Sequence, residues 1–269
     1  MGKFSKNQYQ LSLYFCLLFL VIYPNALGKP FNNIISTNNI RNVFDFCDKK
    51  PRCLLVVGVE NTIITPENPL ADDRAFFYFY DFFSKSEPES AHSKAWELWS
   101  YWKTGAAFKL VDPSISQRIK KLTSQNKTVI ALSHEFPNSS QIPNILYQLS
   151  SLDLKFSKVF RDKPTLGSQS DYFIRDGVFF LGDIPKGKML SHMLPYLPDF
   201  NHIVFVDSYY QALLDAKDYL IHKNYTLFHF RIDEVVPFKT ETADSLLSNM
   251  NSGFFSNTES SDDSKLHLH

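Results

Sequence analysis

The feature of this chain that most constrains its fold is an alternation of short apolar segments with longer amphipathic segments. Helix-like stretches lie at residues 114–125, 139–151, 186–197 and 209–223. Apolar runs with the length of buried strands lie at residues 53–59, 128–132, 203–206 and 225–230. Because this alternation is typical of a parallel sheet covered on both faces, the sequence predicts a three-layer, Rossmann-like α/β protein.

One apolar segment departs from the alternation. In YFIRDGVFFL (172–181), Asp176 and Gly177 separate two apolar runs. An Asp-Gly pair between apolar runs is typical of a tight turn joining antiparallel strands. The segment therefore predicts a β-hairpin.

The segment 66–112, between the first two predicted strands, is rich in aromatic residues. It contains AFFYFYDFF (75–83) and WELWSYW (96–102), and its three tryptophans recur every three residues, near the spacing of one helical face. We expect a small, mainly helical cap inserted after the first strand. Two roles stay open for the aromatic side chains: they cover a ligand pocket, or they bury the insertion against the core.

The first 28 residues have the pattern of an export signal. Lys3 and Lys6 precede an apolar run at 11–23, which has 13 residues. That length suits a signal peptide and falls short of the roughly 20 residues that span a bilayer. We expect 1–28 to be removed, leaving an exported protein, periplasmic or secreted, with no membrane-spanning segment. Residues 29–248 would form the folded domain, and the Ser-, Asn- and Asp-rich residues 249–269 a disordered tail.

The charge balance argues against a nucleic-acid partner. The full chain has 28 basic and 28 acidic residues, and loss of the two lysines with the signal would leave a net charge of −2. A chain without a basic excess lacks the charge that draws a protein to a phosphate backbone.

Two cysteines remain after removal of the signal, Cys47 and Cys53. In an oxidising compartment they could form a disulfide, whose short loop would stabilise the fold by roughly 2 kcal/mol. Alternatively, Cys53 is a small apolar residue that opens a strand. The sequence leaves both interpretations open.

Polar residues follow the predicted strands at their carboxyl ends, where open parallel sheets bind ligands. GVENT (58–62) follows the first strand, Ser133 ends the second, and Asp207 follows the third. Lys186 begins a predicted helix, where its charge and the helix N-terminus could act together on an anion. Carboxylate, hydroxyl and ammonium groups placed in this way could hold a phosphate and a hard cation.

In this order, the segments resemble the four motifs of the haloacid dehalogenase-like (HAD) superfamily of phosphatases. The likeness extends from about residue 54 to residue 236 and is strongest to a group of exported bacterial acid-phosphatase-like proteins. LLVVGVENTI resembles a strand followed by Asp-x-Asp-x-Thr, and VIALS a strand ending in Ser or Thr. PKGKML supplies a lysine opening a helix, at Lys186 in preference to Lys188, and HIVFVDS supplies half of a strand ending in paired acids.

The resemblance implies a role for each matching residue. Asn61, Ser133 and Lys186 would bind phosphate. Glu60 stands where the family has its general acid and base. A magnesium ion would be held by Asp207 and by the backbone carbonyl of Glu60.

The chain departs from the family pattern at the catalytic position. The first aspartate, which attacks phosphorus and also binds magnesium in the family, is replaced by Gly58, and the second acid of the fourth motif by Ser208. Mg²⁺ demands near-ideal octahedral coordination, so loss of a carboxylate is expected to weaken its binding. In a well-studied hydrolase, loss of the covalent nucleophile lowers turnover by a factor on the order of 10⁶.

We therefore expect an exported HAD-fold protein with a degenerate phosphatase site that binds a phosphorylated small molecule or a protein partner without catalysis. The alternative is a divergent, magnesium-dependent phosphohydrolase that uses Glu60 and Asp207, with Glu60 or His134 activating a water. A third interpretation is an interaction protein whose cap aromatics form the interface.

Overall fold

The computed structural model describes residues 34–158 and 172–253, and their central feature is a seven-stranded sheet. The strands within the described residues are β1 (Ile35–Thr37), β2 (Cys53–Gly58), β3 (Ile64–Pro66), β4 (Phe108–Leu110), β5 (Thr128–Ser133), β6 (Phe173–Arg175), β7 (Val178–Phe180), β8 (His202–Asp207) and β9 (Tyr225–Phe230). The large sheet has the order β1-β9-β8-β2-β5-β7-β6, and its neighbours are parallel except for β6 and β7. The four predicted core strands are thereby confirmed.

Helices cover both faces of this sheet. They are α1 (Ile40–Asp48), α2 (Asp73–Ser86), α3 (Ala91–Lys103), α4 (Ile115–Ser124), α5 (Ile142–Ser151), α6 (Lys186–Met193), α7 (Tyr210–Tyr219) and α8 (Thr240–Gly253). The apolar core on one face comes from α1, α4 and α5, and on the other from α6 and α7. The mostly parallel sheet with flanking helices confirms the predicted α/β class.

The central strands β2, β5 and β8 are buried along their whole length. Successive side chains of a strand point to opposite faces, so Leu55 and Val57 enter one core and Leu54 and Val56 the other. This two-sided burial explains why these strands are continuous apolar runs in the sequence. It also leaves only the strand ends free for polar chemistry.

The predicted hairpin is present at β6 and β7. Asp176 and Gly177 both have positive φ, 52° and 81°, which is the geometry of a tight two-residue turn. Phe173 pairs with Phe180 across the antiparallel ladder. The hairpin adds the antiparallel edge strand β6 to the sheet.

Residues 66–112 contain α2 and α3, which pack on each other and on α8. Their shared core includes Phe79, Phe83 and Trp99, with Ala243 and Leu247 from α8. The small antiparallel sheet of β3 and β4 brings the two ends of the insertion together.

The aromatic residues of the insertion divide between a buried set and an exposed set. Trp99 is 8% exposed and donates from Nε1 to the backbone oxygen of Asp72 at 3.0 Å. Phe77, in contrast, is 63% exposed and lines the cavity described below. The helices therefore bury their own core and also present an aromatic side chain to the cavity.

Cys47, in the last turn of α1, and Cys53, the first residue of β2, form a disulfide with their Cα atoms 5.7 Å apart. Both residues also belong to the apolar core. Cys53 is therefore both a disulfide-bonded cysteine and a buried residue that opens a strand.

The ends of the chain fall partly outside the described residues. The predicted signal peptide 1–28 lies outside them, as do residues 254–269 of the predicted tail. The helix α8 continues to Gly253, five residues into that tail. Across 34–158 and 172–253, the helices lack the combination of length and apolarity that crossing a membrane requires.

Candidate functional site

Four of the residues expected at the site meet at one edge of the sheet. Gly58, Ser133 and Asp207 are the last residues of the adjacent strands β2, β5 and β8, and Lys186 is the first residue of α6. A cavity of about 380 Å³ lies at this edge. Its lining consists of Glu60, Asn61, Asp73, Arg74, Phe77, His134, Asp207, Ser208, Tyr209, Ile232 and Asp233.

The ammonium group of Lys186 is paired with the carboxylate of Asp207. Nζ lies 2.8 Å from Oδ2, and both side chains are 1% exposed. The second oxygen of Asp207, Oδ1, accepts the backbone N–H of Tyr209 at 2.9 Å. Because a buried charge without a partner is costly, this pair holds both side chains in place.

Gly58 has no room for a side chain. A Cβ atom built on it would lie 2.6 Å from Oδ2 of Asp207 and 2.7 Å from Oγ1 of Thr62. Both distances are well inside van der Waals contact. The carboxylate of Asp207 therefore takes the space next to Gly58 that a nucleophilic side chain would need.

The side chain of Glu60 is bound to the end of β5. Ser133 Oγ donates a hydrogen bond to Oε1 of Glu60, and the backbone N–H of His134 donates to Oε2 at 3.4 Å. Ser133 Oγ in turn accepts the backbone N–H of Glu135 at 3.0 Å. The hydroxyl that the sequence assigns to phosphate thus donates to a carboxylate of the protein itself.

Charges of both signs lie around Glu60 and His134. Burial raises the pKa of Glu60, the charge of Asp73 adds to that rise, and the charges of Lys186 and Lys103 and the Ser133 hydrogen bond oppose it. The charge of Lys186, followed by desolvation and by Lys103, lowers the pKa of His134 well below its usual value. Both shifts favour the neutral forms of the two side chains.

Asn61 is turned towards the two-helix insertion. It has a positive φ of 54°, which asparagine adopts more readily than most residues. Its Nδ2 donates to Oδ1 of Asp72 and its Oδ1 accepts from Thr65 Oγ1, each at 3.1 Å. These bonds engage the amide within the protein, and its phosphate-binding role stays a prediction.

The sequence analysis missed Arg74 and its two carboxylate partners. Arg74 pairs with Asp72 at 2.8 Å and with Asp233 at 2.7 Å, so it links the start of α2 to the segment after β9. Asp72 also caps α2 by accepting the backbone N–H of Arg74. The signal was visible as the charged triplet DDR (72–74), which stands just before an aromatic run.

Lys103 was also missed. Its Nζ lies 3.2 Å from Oε2 of Glu135 and 3.7 Å from Oδ1 of Asp73, and 4.3 Å from the centre of the Trp99 ring. Burial raises the pKa of Asp73, and Lys103 opposes that effect. Lys103 is the last residue of α3, so the insertion contributes a positive charge to the site.

The oxygens predicted to bind magnesium do not fit that role as they stand. Asp207 is engaged by an ammonium and a backbone N–H. The carbonyl oxygen of Glu60 accepts from Thr62 Oγ1 and from Ser208 Oγ, each at 3.3 Å. Within 34–158 and 172–253, no three His, Cys, Asp or Glu side chains are grouped so that they could hold a metal ion. The one carboxylate predicted to bind magnesium, that of Asp207, is already neutralised by Lys186, which makes it a poor match for a doubly charged ion.

Fold and site together define an α/β protein with a mostly parallel sheet and a charged cavity at the carboxyl edge of its strands. The chain belongs to the DUF2608 family, described as a protein of unknown function, whose model matches residues 33–256. No curated protein matches the chain.

Two solved structures are similar to the chain. One is described as a haloacid dehalogenase-like hydrolase from Burkholderia xenovorans LB400, with 13% identity over 66% of this chain and 81% of that chain, and a TM-score of 0.36. The other is the HAD domain of the effector protein Lem4 from Legionella pneumophila, an inactive mutant, with 12% identity over 77% of this chain and 99% of that chain, and a TM-score of 0.35.

Proposed function

We propose that this protein has a HAD-type fold whose phosphatase-like site has lost phosphoryl transfer and serves in binding. One observation carries the proposal: the space beside Gly58, at the end of β2, is filled by the carboxylate of Asp207. Covalent catalysis needs a nucleophile within reach of phosphorus, and glycine offers none. The motif order found in the sequence, with its polar residues at one sheet edge, supports the HAD relationship.

A divergent phosphohydrolase using Glu60 and Asp207 is less well supported by the geometry. One oxygen of Glu60 is engaged by the hydroxyl of Ser133, which ties the carboxylate to the end of β5 and not to an attacking water. Asp207 is neutralised by Lys186, which disfavours its binding a metal ion. The present contacts of both groups are with the protein itself.

Export is part of the same proposal. The pattern of residues 1–28 supports it, and so does the disulfide between Cys47 and Cys53, because such bonds persist mainly in oxidising compartments. Exposed aromatic side chains on the two-helix insertion support a binding role. They are Phe77, Tyr80, Trp96 and Tyr101.

The proposal is tested by assaying the purified protein with an aryl phosphate, with and without Mg²⁺, beside the variant Asp207→Ala. We expect no Mg²⁺-dependent turnover in the wild-type protein, and therefore no difference between it and Asp207→Ala, because loss of a nucleophile lowers turnover by about 10⁶. Turnover that requires both Mg²⁺ and Asp207 would establish the phosphohydrolase instead.

A further inference from the structure

Two hydrogen-bond donors at the end of β5 converge on one carboxylate. The hydroxyl of Ser133 donates to Oε1 of Glu60, and the backbone N–H of His134 donates to Oε2. Ser133 is 0% exposed, and its hydroxyl hydrogen goes to Glu60. One donor for each oxygen is an arrangement that two oxygens of a tetrahedral oxyanion can also accept.

Two ammonium groups lie near the same position. Lys186 is paired with Asp207, and Lys103 with Glu135 and Asp73. Both ammonium groups favour the ionised form of Glu60, whereas burial and the charge of Asp73 oppose it. The two converging donors therefore define the site, with a side chain of the protein as its occupant.

Glu60 could leave this position without disturbing its own backbone. The backbone is held by the bonds from Thr62 and Ser208 to its carbonyl oxygen and by a bridge to Ile64. The side chain lines the cavity of about 380 Å³, which offers space beside the carboxylate. Ser133 would then present an unpaired buried hydroxyl, which strongly favours a new acceptor.

We propose that Glu60 is a built-in occupant of a retained oxyanion site, and that it excludes the phosphoryl group of a phosphate or phosphomonoester from Ser133 and His134. The inference rests on the proposed function, since it names the ligand chemistry of the same cavity and the residue that closes it. It predicts that the wild-type protein binds phosphate weakly and that removal of one side chain creates a tight site.

The test is calorimetric titration of inorganic phosphate into the full chain at constant ionic strength, with chloride as the balancing salt. Glu60→Ala should bind phosphate roughly 10- to 100-fold more tightly than wild type, because phosphate no longer displaces a charged hydrogen bond. Glu60→Gln removes the charge but still fills the site, so its gain should be clearly smaller. Phenyl phosphate, titrated in parallel, separates a phosphomonoester site from one for free phosphate, because its ring can contact Phe77 and Tyr209 at the rim.

Two further variants isolate the site. Asp81→Asn removes a carboxylate that is 72% exposed and lies outside the cavity lining. It should change phosphate affinity by less than about twofold, because exposed charges act weakly on one another. Adding Ser133→Ala to Glu60→Ala should remove most of the gain in phosphate affinity. If Glu60→Ala does not fold, Glu60→Ser takes its place in the same experiment.

Several outcomes would overturn the inference. They are equal phosphate affinity in wild type and Glu60→Ala, an equal gain in Glu60→Gln and Glu60→Ala, and a gain that survives Ser133→Ala. Wild-type turnover of an aryl phosphate would refute the proposed function by a different measurement, so the two failures are distinguishable.

Discussion

The buried pair of Lys186 and Asp207 should stabilise the fold much more than an exposed pair does. Asp207→Asn keeps the shape of the side chain and removes its charge, and it leaves an ammonium that is 1% exposed without its ion-pair partner. Removing one partner of a buried pair typically costs about 3–5 kcal/mol of unfolding free energy. For a folded unit of this size, that corresponds to a fall in Tm of about 6–20 °C.

The matched control is the exposed pair of Lys85 and Asp81 on α2. Its side chains are 74% and 72% exposed, and Nζ lies 2.8 Å from Oδ2, as in the buried pair. Asp81→Asn should therefore cost no more than about 0.5 kcal/mol. The difference between the two variants isolates burial, because the distance between the charges is the same.

Thermal unfolding followed by circular dichroism measures both variants, and a double variant completes the design. Lys186→Met with Asp207→Asn leaves no unpaired charge, so it should melt above Asp207→Asn alone. The reasoning is refuted if Asp207→Asn melts within about 2 °C of Asp81→Asn. A double variant that costs the sum of its two single changes would also contradict it.

Three further changes follow from the structure. Gly58→Ala should lower the unfolding free energy by about 1–3 kcal/mol in denaturant titrations, since its Cβ would meet Asp207 at 2.6 Å; an unchanged midpoint would contradict this. Cys53→Ser should cost about 2 kcal/mol, and a reductant should produce the same loss in wild type but none in the variant. Burial raises the pKa of Glu60 in the folded state above its ordinary value of 4.5. The free energy of unfolding should therefore fall as pH rises from 4.5 to the pKa of the folded state. The advantage of Glu60→Gln over wild type should therefore grow with pH over that range, and a constant difference would count against it.

The large sheet could be predicted because its central strands have no polar face. Burial on both sides leaves a continuous apolar run in the sequence, and the polar residue after each run marks the edge. Gly58, Ser133 and Asp207 were placed at one edge by this rule alone, and the structure brings them together. Lys186 was placed beside them by its position at the start of a helix.

The elements before β2 were missed although the sequence contains their signal. Ile40, Val43, Phe44 and Cys47 have helical spacing, and Asn39 accepts the backbone N–H of Arg41 as an N-cap. The strand β1 has three residues, two of them exposed, so its apolar pattern is too short to stand out. Its place in the sheet depends on pairing with β9, which is a long-range contact.

The bonds within the site could not be predicted from residue types. Sequence reasoning assigned Ser133 and Lys186 to an external phosphate, whereas each of them bonds a carboxylate of the protein. Which of two acceptors a donor takes depends on side-chain rotamers and on distances of a fraction of an ångström. Neither is encoded in motif spacing.

The replacements at this edge of the sheet are best understood together. A buried ammonium at Lys186 needs an anion, and with no carboxylate at Gly58 that anion is Asp207, whose oxygen lies in the space beside Gly58. Glu60 is longer than aspartate by one methylene, which lets its carboxylate reach the hydroxyl of Ser133. Each donor is then satisfied from within the protein, so the fold needs no ligand here. It follows that Gly58→Asp alone would add a second carboxylate where Asp207 already lies, and that a return of phosphate chemistry would require Asp207 and Glu60 to give up their present partners as well.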